Sequence, residues 1–177
     1  MRKSFTKFLL ISVLAVSSLT ACKPSYNWRD YSSQDAPFRV MFPDKPSTHT
    51  RSFELGGMHV KMTMTAVDVN GTMFAVGSAE APSAEKAQAA LGAMKTALVR
   101  NIGATITKEK AATAVANDLR TASLDIEANG AQNGTPMKLI GHFESRDKHF
   151  YQVIVMGKEK AISPELAEQF MSSFKLQ

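Results

Sequence analysis

The chain has 177 residues, a formal net charge of +5 and one cysteine. A lone cysteine excludes an intramolecular disulfide framework. Arg2, Lys3 and Lys7 supply three of the positive charges from the first seven residues, and without them the net charge falls to +2. The basic balance is therefore no sign of a nucleic-acid partner, and neither a basic run nor interleaved aromatic and basic residues occur.

The first elements are those of an export signal. After Arg2, Lys3 and Lys7 comes an uncharged apolar run from Phe8 to Leu19, then Leu19-Thr20-Ala21-Cys22. Positive, apolar and small residues in that order form a secretory signal. The run is about a dozen residues, short of the roughly 20 a membrane-spanning helix needs. Leu19-Thr20-Ala21-Cys22 resembles the lipobox of bacterial lipoproteins. The resemblance implies a diacylglyceryl group on the Cys22 sulfur, cleavage before Cys22 and acylation of the new amine. It divides the chain into a signal peptide (1–21), a lipidated tether (22–36) and one domain (37–177). Removing 1–21 leaves 156 residues, enough to bury a core without disulfides. Lys23 stands where Asp would imply retention in the inner membrane, so the resemblance favours the outer membrane, facing the periplasm. The tether is polar but holds Tyr26, Trp28 and Tyr31. These either pack on the domain or sit at a membrane interface, or they meet a partner.

Residues 38–42 read as a short strand closed by Pro43-Asp44-Lys45-Pro46, and 48–55 as a second strand ending at the Gly56-Gly57 turn. From 58 to 66 the alternation is clean: Met58, Val60, Met62, Met64 and Ala66 face one side, His59, Lys61, Thr63 and Thr65 the other. Val67 and Val69 change the phase, which predicts a bulge. Asn70-Gly71 is a hairpin signal, and 72–78 returns as a strand.

A helix follows, with Ser83 as N-cap, Glu85 in the first turn, an apolar stripe of Ala87, Leu91, Met94, Leu98 and Ile102, and Gly103 as the stop. Gly92 inside it suggests close approach to a strand. Residues 104–110 read as a strand, 111–118 are ambiguous, 119–128 read as a strand, and 129–136 as a loose polar connection. Strands 137–145 and 149–156 flank Arg146-Asp147-Lys148. The second is apolar on both faces, which predicts a central position. Ser163 and Pro164 open a last helix with Leu166, Phe170, Met171 and Phe174 on its apolar face.

This order predicts an α+β fold, a mainly antiparallel sheet with two packed helices. Phe38-Arg39-Val40-Met41-Phe42-Pro43, the Gly56-Gly57 hairpin, Phe150-Tyr151-Gln152-Val153 and Phe170-Met171-Ser172-Ser173-Phe174-Lys175 are similar to motifs of the PsbP-like α/β/α sandwich. The resemblance covers 38–176 and implies a binding or assembly module; its motifs are packing motifs and do not assign a role.

Catalytic signatures are not evident: no Gly-x-Ser-x-Gly turn, no phosphate loop, and no spacing that ties His49, His59, His142 or His149 to a nucleophile. Met58, His59, Met62 and Met64 could offer soft ligands to Cu(I). The same alternating methionines also describe a strand packed on a core, with His59 on the wrong face. The expectation is a non-enzymatic, lipid-anchored envelope module without a cofactor, with an envelope protein as partner. A periplasmic small-ligand or Cu(I) carrier is the alternative. Contacts through a sheet edge or 129–136, and a cleft between sheet and helix, both remain open.

Overall fold

In the computed structural model, residues 26–113 and 121–177 are described; Cys22 and the part of the ambiguous stretch from 114 onward lie outside them. A seven-stranded antiparallel sheet is built from β3 (Ser47–Leu55), β4 (Met58–Val69), β5 (Thr72–Glu80), β6 (Thr105–Thr113), β7 (Thr121–Gln132), β8 (Thr135–Arg146) and β9 (His149–Lys158), in the order β3-β4-β5-β9-β8-β7-β6. β9 is central, as its two apolar faces predict. Phe150, Ile154 and Met156 point to one side; Tyr151, Val153 and Val155 point to the other.

One face is covered by α1 (Ala84–Asn101). The Ser83 hydroxyl accepts from the Lys86 amide at its start. At its end Gly103 (φ +58) lets the Gly103 and Ala104 amides reach the Arg100 and Val99 carbonyls, the two bonds of a Schellman cap. Ala87, Ala90, Leu91 and Met94 pack on Val60, Met62, Phe143 and Ile154. Gly92 does not make a close approach: it is exposed on the outer side of the helix, and a Cβ there would meet nothing within 4 Å.

The other face carries α2 (Pro164–Ser173) and a small sheet of β1 (Arg29–Ser32), β2 (Phe38–Phe42) and β10 (Lys175–Leu176), ordered β1-β2-β10. Aromatic rings bind this layer to the main sheet. Phe170 lies 5.3 Å from Phe42 and 5.4 Å from Phe74, and Phe38 lies 6.0 Å from Tyr151, ring centre to ring centre. Each fully buried ring contributes about 1.5–3 kcal/mol.

Three further expectations need correction. β1 falls inside 22–36, the stretch read as a tether: Trp28 and Tyr31 pack on the aromatic layer, so the chain is part of the fold well before residue 37. Val67 and Val69 mark no bulge. β4 pairs with β5 in unbroken register to Val69↔Thr72, and the two valines lie on the α2 face because the second layer covers it there. Residues 129–136 are not a loose connection. β7 and β8 pair from Thr121↔Arg146 to Gln132↔Thr135 and turn on Asn133 (φ 50) and Gly134 (φ 74), a tight hairpin.

Candidate functional site

The second layer ends over β8. Beyond it, β6, β7 and β8 present a side-chain face that, among the described residues, α2 borders on one flank only. Leu124, Ile126 and Ala128 are buried against α1, so strand alternation sends Asp125 and Glu127 to this open face. The register aligns Lys108 with Glu127 and Ile140, Lys110 with Asp125 and His142, and Ser123 with Glu144. A cleft of about 800 Å³ runs between these strands and α2. Ile140, Ile162, Ala167 and Met171 give it an apolar lining, and Lys108, Glu127, Lys138 and Glu168 are among its charged groups. A hollow of about 590 Å³ continues it past His142, Glu144 and Arg146.

Two charge clusters shape this groove. Glu127 takes Lys108 at 2.8 Å and Lys138 at 3.1 Å, and hydrogen bonds from the two ammonium groups hold its carboxyl below the ordinary glutamate value. His142 lies between Asp125 (Nδ1 to Oδ1, 2.6 Å) and Glu144 (Nε2 to Oε2, 3.3 Å), with the Phe174 ring 6.1 Å away. Burial by itself would lower the His142 pKa. The hydrogen bonds to Glu144 and Asp125, with their charges, outweigh it and hold the ring above the ordinary histidine value. Each ring nitrogen faces a carboxylate oxygen, an arrangement the protonated ring satisfies with both of its N–H donors.

In the sequence, no spacing ties His142 to a catalytic partner. The signal was the alternation of Lys138, Ile140, His142, Glu144 and Arg146 along one strand. It becomes readable only with the register that Asn133-Gly134 sets, a turn that lies inside the polar stretch 129–136.

The residues singled out as soft ligands are dispersed. Met58 and Met62 are buried under α1. Met64 is half-buried on the same face, and its sulfur accepts from Gln152 Nε2 at 3.3 Å across Gly77, where a Cβ would lie 2.6 Å from that sulfur. His59 points to the opposite face and pairs with Glu54 at 2.8 Å. Among the described residues, no group of three or more His, Cys, Asp or Glu is placed to hold a metal ion. Also among them, no helix is long and apolar enough to cross a membrane.

No family model matches the chain, and no curated protein matches it. Among solved structures it is similar to the solution structure of cyanobacterial PsbP (CyanoP) from Synechocystis sp. PCC 6803. The identity is 12%, 92% of this chain and 99% of that one are covered, and the TM-score is 0.54. The fold is PsbP-like. A crystal structure from Bacteroides thetaiotaomicron VPI-5482 matches at 13% identity and TM-score 0.46, over 84% of this chain and 48% of that one. A protein of unknown function from Pseudomonas aeruginosa matches at 11% identity and TM-score 0.33, over 75% and 84%. At such identity the likeness concerns the PsbP-like backbone and assigns no role to His142 or its neighbours.

Proposed function

We propose that this chain is a lipid-anchored lipoprotein of the cell envelope, a non-catalytic binding module on the periplasmic face of the outer membrane, whose groove beside α2 takes a protein partner. The observation that supports the binding role is the face of β6–β8 that no described residue covers: an apolar floor at Ile140 beside Met171 of α2, flanked by the Glu127 and His142 charge clusters. A groove of that kind offers burial to apolar side chains and geometric selection through charged pairs. The anchor reading is supported by Leu19-Thr20-Ala21-Cys22 after the apolar run, and by Lys23 at the next position.

The test separates groove from anchor. Cross-linked complexes recovered from membranes should contain a recurring partner, and Ile140→Arg should abolish its recovery by placing an unpaired cation on the floor. A charge reversal away from the groove, Lys86→Glu, should leave recovery unchanged. Equal recovery with Ile140→Arg would remove the groove from the proposal. An unmodified Cys22 thiol in the intact mass of the native protein would remove the anchor.

A further inference from the structure

The covalent path from the lipid to the fold is short. Cys22 precedes Tyr26, the first described residue, by four positions, and by Asn27 the backbone is tied down: the Asn27 amide donates to the Pro43 carbonyl at 2.8 Å. Four extended residues reach at most about 14 Å. A twelve-residue strand such as β8 is about 40 Å long. The tether is thus far shorter than the body it holds, so the anchored body cannot rotate freely above the bilayer.

The topology fixes which end is nearest. β1 starts opposite the end of β2 (Arg29↔Phe42), and Arg29 lies 3.9 Å from Asp44 in the loop that follows. Phe42 reaches Phe170 and through it Phe74, close to the start of β5. The start of β3, the Asn70-Gly71 turn and the end of β9 share that end, since Ser47 pairs with Ala66, Val69 with Thr72 and Thr72 with Gly157. The Gly56-Gly57 turn and the Asp147-Lys148 turn close the opposite end. Lys45, Lys158 and Lys160 are exposed at the tethered end; Lys86 and Lys148 are exposed at the far one.

Resting on the lipidation of Cys22 proposed above, we infer that the end carrying Trp28, Lys45, the Asn70-Gly71 turn and Lys158–Lys160 lies against lipid headgroups. The Gly56-Gly57 and Asp147-Lys148 turns point away from the bilayer. The groove then stands on the flank of the molecule, along strands that run away from the membrane surface, where a partner approaches from the side.

The single tryptophan provides the measurement. The full lipidated protein, purified from membranes, is placed in phosphatidylethanolamine–phosphatidylglycerol vesicles with a dansyl acceptor on the headgroup. Energy transfer from Trp28 should exceed, several-fold, transfer from the far end in a Trp28→Phe, Lys148→Trp variant. Equal or reversed transfer overturns the orientation. A second readout needs no change within the domain: acetylation of lysines in vesicles, compared with a soluble Cys22→Ser form, should fall several-fold at Lys45, Lys158 and Lys160 and hold at Lys86 and Lys148. Uniform protection, or protection at Lys148, overturns the inference. Intact mass is read first. A bare thiol defeats the lipoprotein reading and this one with it, whereas a lipidated protein with uniform transfer defeats the orientation alone.

Discussion

Two side chains hold the sharpest consequences of their surroundings. His142 is raised above its ordinary pKa by Glu144 and Asp125 against the pull of burial, so folding favours its protonated form. The contribution is complete below the unfolded value of about 6.5 and fades as pH rises through the higher folded value. Replacing His142 with Asn is expected to cost about 1 kcal/mol at pH 5.5, a charged hydrogen-bond value discounted for partial exposure. The cost should shrink toward pH 9 in urea unfolding; a cost that grows with pH would contradict the arrangement. Ser145 presents the opposite case. It is fully buried opposite Phe150, and among the described residues its hydroxyl has no hydrogen-bond partner. An unsatisfied buried hydroxyl costs about 1–3 kcal/mol, so Ser145→Ala is expected to raise the urea midpoint. A lowered midpoint would mean that the hydroxyl has a partner in solution. Neither property could be read along the chain: both depend on which face of β8 is covered, and by what.

Among the elements, long periodic strands and capped helices were legible, because each carries its own local signal. Ser83 and Ser163 cap as their spacing predicts, each accepting from the amide three residues on. β1 and β10 were missed because four and two residues are too few to show a period; both are strands only by virtue of pairing with β2. Residues 129–136 were misjudged because their polar composition hid the Asn133-Gly134 turn. Pro136 also reads as a breaker, yet it stands just outside the β8–β9 pairing, which begins at Met137↔Lys158. That turn sets the register of the groove. Gly134 holds φ +74, where an L-residue costs about 1–2 kcal/mol. Gly134→Ala is therefore expected to lower stability by that amount in urea unfolding and to weaken partner recovery. Unchanged stability would show that the turn is not in the left-handed geometry.

At the scale of the whole molecule, the sequence order of strands and helices was enough for the α+β class, and the central place of β9 followed from its doubly apolar pattern. The groove was not legible, since it exists only where one layer stops short of another, a matter of relative extent that no single element encodes. The same second layer has a consequence for how the chain is made. β2 needs β1 from one side and β10 from the other, and the Gln177 amide closes the arrangement on the Pro37 carbonyl at 2.8 Å. Residues near 40 must therefore wait for residues near 175 to leave the ribosome. Until then Phe38, Phe42 and Tyr151 lack Phe170 and Phe174 as neighbours. A chain that cannot complete this layer before residues near 175 are made keeps its aromatic positions unpaired until then, which is compatible with the proposed export in an unfolded state.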